Sequence, residues 1–286
     1  MAESKNSVSA SNVSILIITL NEEKNLRRAI ESVSWSDDIV ILDSYSTDST
    51  KEIASRYQQV RIFERNFDDY ASQRNYGLHS INYLHEWAFL LDADEVCPKE
   101  LGNEIIQKTG DGNLELAAFI VRRRDFFQGK WMRCHYPVWI ERLVRPDRVT
   151  FIGTVHEKLS YKGSCGRLQN DLVHFPFDNG IDNWIARHNQ YSTAMAALER
   201  ETVFKWAWND LFSPDPLCRS KAHKKLYHLL PGRWVIYFIH RYFIKGGILD
   251  GVSGFHFVML ETFYHFSAVV KIREEQRKMV VQRSRR

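Results

Sequence analysis

The chain has 286 residues, with 44% hydrophobic and 26% charged residues and a net charge of +4, values near the globular average that exclude a disordered or low-complexity protein. It is long enough for one large α/β domain with appendages or for two small domains. Met1 to Asn12 are small and polar and lack the basic-then-apolar pattern of a secretory signal. The scattered Cys97, Cys134, Cys165 and Cys218 form no C-x-x-C pair, which reads as free thiols in a reducing compartment.

Along the first hundred residues apolar runs alternate with helical patterns. Val13 to Leu20 is a continuous apolar run, as a strand buried on both faces of a parallel sheet requires. Asn21 is placed to cap a helix carrying Leu26, Ile30 and Val33. Asp38 to Asp43 is a second buried strand, and Thr47 and Asp48 open a helix through Ile53 and Tyr57. Val60 to Phe63, the helix Asp69 to His79, and the strand Trp87 to Leu91 follow, before Pro98 starts another helix. Such alternation predicts a doubly wound, Rossmann-like α/β sheet with ligands at the carboxyl ends of its strands. Ala117 to Arg123, Trp139 to Arg145 and Val149 to Ile152 read as further strands, with Pro146-Asp147 as a turn. From Ile181 the pattern is helical, with Trp184, His188, Tyr191, Met195 and Leu198 on one face and a break at Ser213 to Pro216.

The charge is unevenly spread. Leu217 to Leu249 holds seven basic residues and no acid, and Lys271 to Arg286 holds seven basic and two acidic residues. Between them Gly254 to Val270 is aromatic and aliphatic but spotted by His256, Glu261 and His265. A spanning helix needs about 20 mostly apolar residues, so an amphipathic segment lying in a membrane interface fits better. A helical subdomain with a solvated basic face is the plainer reading.

The strongest chemical signal is Leu91-Asp92-Ala93-Asp94-Glu95 at the fourth strand's end. Residues two apart in extended backbone share a side, so Asp92 and Asp94 are expected to converge on Mg²⁺ or Mn²⁺ and leave coordination positions for a diphosphate. Asp43, at the end of strand two, is placed to accept from a ribose hydroxyl or a base N–H. No G-x-G-x-x-G follows strand one, which argues against a dinucleotide site.

Taken together, SILIITLNEEKNLRRAIESV, IVILDSYSTDST, ASQRNYG and FLLDADE resemble an inverting family 2 glycosyltransferase of the GT-A fold, across roughly residues 13–100. Gly129-Lys130-Trp131, Glu141-Arg142-Leu143, Val155-His156-Glu157 and Leu172-Val173-His174 add to the likeness, and the whole chain resembles the bacterial branch of lipopolysaccharide-core β-glucosyltransferases. The resemblance implies a UDP-sugar donor, Mg²⁺ or Mn²⁺ at the D-x-D motif and inversion at the anomeric carbon. It also implies that Thr19, Glu22 and Asp43 hold uridine, that Arg74 contacts the nucleotide, and that Asp92 with Asp94 binds metal and diphosphate. The expected division is a GT-A domain over residues 12–175 and a helical, basic, membrane-contacting extension over 176–286.

Inverting transfer needs one base to deprotonate the attacking hydroxyl. Glu157 is the candidate, with Glu95 and Asp125 as rivals; the Q-x-x-R-W motif and E-D base of polymerising family members are absent in that form. His156 and His174 are candidate further metal ligands. Arg122, Arg123 and Arg124 are candidates for an acceptor phosphate, although consecutive strand residues cannot all face one side. Trp131, Tyr136 and Trp139 are candidates for sugar stacking. The expected activity is one-step hexosyl transfer to a lipid-linked saccharide, without nucleic acid, at the cytoplasmic face of the cell membrane. Nucleotidyl transfer on a similar scaffold and a non-catalytic membrane-docked scaffold are the alternatives.

Overall fold

The computed structural model describes residues 12–110, 115–153, 158–201, 230 and 232–284. Glu157, His156, Cys218 and the expected break at Ser213 to Pro216 lie outside them. By its contacts the chain divides into two compact units. One takes in the chain up to Phe126 together with Tyr136–Asn179, the other Phe127–His135 together with the chain from Gly180 on.

In the first unit, strands β1 (Val13–Thr19), β2 (Ile39–Asp43), β3 (Val60–Glu64) and β4 (Trp87–Asp92) pair in parallel in the order β3-β2-β1-β4. Their near-continuous apolar sequences suit strands covered on both faces. Ile15 and Ile17 of β1 point into a cluster with Leu26, Ile30 and Ile105, whereas Leu16 packs with Val40, Ala71 and Leu78 on the opposite face. Helices α1 (Leu26–Ser32) and α4 (Lys99–Gly110) therefore cover one side and α3 (Tyr70–Ser80) the other. Helix α2 (Thr50–Ala54) is a short turn after β2.

Beyond β4 the sheet is no longer parallel throughout, and the order continues β4-β8-β6-β11-β5. Strand β8 (Val138–Val144) inserts antiparallel between β4 and β6 (Leu116–Phe127). Strand β11 (Ser164–His174) lies parallel to β6 and antiparallel to the short β5 (Glu95–Val96). A separate hairpin joins β9 (Val149–Ile152) to β10 (Lys158–Tyr161). The expected α/β architecture holds, as a mixed sheet.

Two local expectations change. Asn21 does not cap α1, which starts at Leu26 with Asn25 at its N-cap; the Asn21 side chain accepts from the backbone N–H of Thr47 instead, at 2.9 Å. Helix α2 starts at Thr50 rather than Thr47, and Asp48 accepts from the Thr50 N–H at 3.0 Å, satisfying one of the helix's orphan donors. The turn expected at Pro146-Asp147 is present, as a 3₁₀ turn over Pro146–Arg148. The helix expected over Asp69 to His79 is found as α3, with Asp69 at its N-cap accepting from the Ser72 N–H at 2.9 Å.

The regular elements among the described residues of the second unit are helical apart from β7 (Lys130–Trp131) and Phe127, the last residue of β6. Helix α5 (Ile181–Glu201) is followed by α6 (Arg233–Ile239), a π-helical turn His240–Ile244, a 3₁₀ turn Gly247–Asp250 and the long α7 (Gly251–Ser284). Trp184 is buried on α5 and its ring stacks on His188 at 3.6 Å between centroids.

Candidate active site at the strand ends

The register of the parallel strands decides what meets at their carboxyl edge. Thr19 lies beside Asp43 and Ile18 beside Asp92, so β1, β2 and β4 end together where open α/β sheets take ligands. Asp43 is fully buried. It accepts from the Thr19 hydroxyl at 2.7 Å, the Ser46 N–H at 2.7 Å and the Ser46 hydroxyl at 2.6 Å. Hydrogen bonds to a charged group are worth about 1.5–3 kcal/mol each, enough together to offset the desolvation of one carboxylate. Three donors leave one of its four lone-pair positions.

The loops after β1 and β2 are laced together by the Asn21 N–H on Ser46 Oγ at 2.8 Å and the Glu22 N–H on Thr50 Oγ1 at 2.8 Å. Asn21 and Tyr45 hold φ of 55° and 60°, a left-handed backbone that is uncommon away from glycine and collects at functional loops. The Tyr45 ring is half exposed at this edge. The Glu22 carboxylate accepts from Asn25 and Asn179 at 2.8 and 2.9 Å.

Strand β4 ends at Asp92, and Ala93 and Asp94 form a turn. Extended geometry therefore stops at Asp92, and the two carboxylates take different neighbours. Asp92 meets Arg74 of α3 at 3.1 Å and Arg142 of β8 at 2.5 Å. Burial alone disfavours its charge, yet Arg142 and Arg74 outweigh that cost and hold the carboxyl well below its ordinary value. Arg142 also binds Glu95 at 2.6 Å, and Glu95 accepts the Asp92 backbone N–H at 3.0 Å. Asp94 faces His174, Oδ2 to Nε2, at 3.5 Å. The other ring nitrogen of His174 lies 2.7 Å from Asp125, which in turn pairs with Arg123 at 2.9 Å. Burial and Arg123 press the His174 pKa down, but Asp94 and Asp125 lift it to about 9.

Among the candidate site residues, the structure thus joins Thr19 to Asp43, Arg74 to Asp92, and Asp94 to His174, while Glu22 braces the Asn25–Asn179 contact. The rivals for the base are engaged: Glu95 and Asp125 are both buried among arginines. Arg122 and Arg124 turn to Asp171, each at 2.5–2.7 Å, and Arg123 turns the other way, so the three arginines divide between opposite sides of β6. Trp139 is half exposed, with Arg122 and Arg167 stacked on it at 5.7 and 5.5 Å; the Tyr136 hydroxyl lies 3.2 Å from Asp171.

Arg142 is the functional residue that sequence patterning passed over. The β6–β8 register steps from Phe119–Leu143 to Ile120–Glu141, so Arg142 is the extra residue of a β-bulge. Bulges re-aim side chains and gather beside sites. The Glu141-Arg142-Leu143 motif carried the only signal.

Among the described residues no group of three or more His, Cys, Asp or Glu side chains is placed to cage a metal ion by itself. Mg²⁺ and Mn²⁺ bridging a diphosphate need no such cage; one or two carboxylates suffice, with substrate oxygens completing the shell. Asp92 and Asp94 fit that demand in donor type, and His174, oriented by Asp125, could join them only on giving up its second proton.

The comparisons agree with this geometry. Residues 14–168, more than half the chain, match the model of "Glycosyl transferase family 2". The chain belongs to glycosyltransferase family 2. It is an enzyme of that class, so glycosyl transfer stands over the nucleotidyl-transfer and scaffold alternatives. It is 29% identical over 273 residues to the lipopolysaccharide core biosynthesis glycosyltransferase LpsC of Rhizobium meliloti, covering 91% of both chains. An uncharacterized glycosyltransferase of Rickettsia conorii is 24% identical, covering 93% of this chain and 91% of its own. Among solved structures, the mannosyltransferase PcManGT of Pyrobaculum calidifontis, in complex with GDP-Man and Mn²⁺, superposes with a TM-score of 0.52 at 13% identity, over 92% of this chain and 87% of that one. At that identity the likeness concerns the GT-A-like fold.

Proposed function

We propose that this glycosyltransferase moves a hexose from a UDP-sugar to a lipid-linked saccharide, with inversion and with Mg²⁺ or Mn²⁺, one sugar per encounter. Its place is the cytoplasmic face of the cell membrane, and its acceptor belongs to the lipopolysaccharide core or a related envelope glycan. The observation that carries this reading is the strand-edge set of Asp43, Asp92 and Asp94 with Arg74 and His174 beside them. The name of the LpsC relative supports the acceptor class.

In this reading Thr19, Asp43 and Glu22 hold the uridine, Asp43 through its one remaining acceptor position or by release of Ser46. Arg74 would bind the nucleotide, and Asp92 with Asp94 would hold the metal, with His174 adding an imidazole once its second proton is lost. When bound, the metal supplies Lewis-acid stabilisation of the departing diphosphate. Glu157 takes the proton from the acceptor hydroxyl as its oxygen bonds to C1 on the face opposite the diphosphate. The C1–O bond breaks with its electron pair leaving on UDP. A base of this kind contributes about 10²–10⁴-fold.

Asp94→Ala tests the metal assignment. Expected is loss of metal-dependent UDP release together with weakened Mn²⁺ binding, read by the electron spin resonance of free Mn²⁺. Unchanged Mn²⁺ affinity and turnover would remove Asp94 from the site.

A further inference from the structure

No single helix among the described residues is long and apolar enough to cross a membrane, but Arg233–Ile244 and Gly247–Lys278 together have the length and composition, bent by 65° at the break between them. The bend is built in. Gly246 holds φ of 78°, and a Cβ on Gly254 would lie 2.2 Å from the Gly247 carbonyl, so only glycine lets α7 pack on the 3₁₀ turn. The Cys134 N–H donates to Asp250 at 3.2 Å, and Arg241 donates to the Cys134 carbonyl at 2.9 Å, tying the elbow to its own unit.

The elbow faces outward with apolar side chains. Ile244, Leu249 and Val252 are 72%, 84% and 70% exposed, and Phe243 and Ile248 are more than half exposed or close to it. The outer stripe of α7 continues the surface: Val252, Phe255, Met259, Phe263, Phe266 and Val270 recur at three and four residues and are all exposed, covering about 27 Å of helix. An ordinary amphipathic helix buries such a stripe. A contiguous apolar surface of this extent marks an interaction site.

The charges around it are mainly basic. From Arg233 to Val270 the acids are Asp250 and Glu261; Asp250 holds the Cys134 N–H, and Glu261 accepts the Tyr237 hydroxyl at 3.4 Å. Lys245 is exposed at the tip, and beyond the stripe's far end Arg273 and Arg277 are exposed, with Glu274 and Glu275 between them paired to Lys278 at 3.0 and 2.9 Å. A second copy would oppose cation to cation, whereas anionic headgroups complement them.

We propose that the α6–α7 elbow is a monotopic membrane anchor, its apolar tip and the outer stripe of α7 inserted into one leaflet of an anionic phospholipid bilayer, with Lys245, Arg273 and Arg277 among the headgroups. This deepens the membrane placement proposed above and depends on neither the donor nor the metal. The bend keeps the pair in one leaflet, as an interfacial helix lies about 5–10 Å deep.

The test is flotation of the full chain with vesicles of phosphatidylcholine alone or mixed with phosphatidylglycerol, for wild type, Leu249→Glu/Val252→Glu and Lys245→Glu. Wild type is expected to float with the mixed vesicles and weakly with the neutral ones. The double glutamate variant is expected to lose at least about tenfold in partitioning, since two inserted side chains are withdrawn, and Lys245→Glu to lose part of the preference for phosphatidylglycerol. Both positions of the double variant face solvent, so its thermal melt is expected to match wild type. Equal flotation of the double variant, or no flotation of wild type, overturns the anchor. A wild-type dimer in sedimentation velocity that dissociates in the double variant, with no flotation, assigns the surface to a second copy and overturns it too. UDP release from soluble donor, measured on the same proteins, separates the two claims: turnover retained without flotation refutes the anchor alone.

Discussion

Arg142→Met puts the buried charge network behind Asp92 to a quantitative test. One guanidinium nitrogen serves two carboxylates, Asp92 at 2.5 Å and Glu95 at 2.6 Å, and both Arg142 and Glu95 are buried. Methionine keeps most of the stem's volume, so the loss is chiefly one of charge. Removing one partner of a buried pair costs about 3–5 kcal/mol because the other charge is left uncompensated. Glu95 keeps the Asp92 N–H and has Arg123 at 3.7 Å, and Asp92 keeps Arg74 at 3.1 Å; the expected cost is therefore near the lower end, about 3 kcal/mol. Glu95→Gln removes one of the stranded charges, so the double variant Arg142→Met/Glu95→Gln should be less destabilised than the two single changes summed, by about 2 kcal/mol. Urea unfolding of the four proteins, read by tryptophan fluorescence, completes the cycle. A cost under about 1 kcal/mol for Arg142→Met, or additivity of the two changes within about 0.5 kcal/mol, refutes the reasoning.

Glu157→Gln is expected to lower turnover by about 10²–10⁴-fold while donor affinity, measured by calorimetry, stays within error; an undiminished rate transfers the role to another group. His188 gives a pH dependence. Burial, helped by Arg187 nearby, holds its pKa down at about 4, against the opposing pull of its Nδ1–H bond to the Trp184 carbonyl at 2.9 Å. The folded state then binds fewer protons than the unfolded one between about pH 6.5 and 4. Stability from this site is complete above the unfolded pKa and falls as the pH drops through that window, by on the order of 2 kcal/mol after discounting for partial exposure. His188→Phe should flatten that limb of the stability profile, and an unchanged slope in urea midpoints across the window contradicts the assignment.

Much of the strand edge was legible because it depends on local pattern. β1, β2 and β4 are apolar runs that end in polar residues, so Thr19, Asp43 and Asp92 could be placed at one edge without coordinates. What was hidden depends on pairing across long sequence separations. Arg142 reads as a charged residue of an ordinary strand until β8 inserts beside β4, with Phe89 opposite Leu143, and bulges against β6. His174 reaches Asp94 only because β11 ends beside β5, with His174 paired to Glu95. Strand β11 itself contains Gly166 and the polar run Gln169-Asn170-Asp171, where its register shifts, and it therefore lacks the alternation that announces a strand. The strand alternation that would bring Asp92 and Asp94 to one side ends at the turn after Asp92. In the C-terminal region, the aromatic-basic composition pointed to a membrane interface, while the glycine-built elbow emerged only from the backbone.

The central claim, metal-dependent transfer from a UDP-sugar, is tested most directly by nucleoside diphosphate release across a panel of nucleotide sugars, each with Mn²⁺, with Mg²⁺ and with chelator. UDP release from one UDP-hexose is expected, lost on chelation and restored by adding either ion, with slow hydrolysis standing in for transfer when acceptor is absent. Release of GDP from a GDP-sugar, or release of UDP that persists undiminished in chelator, contradicts that claim.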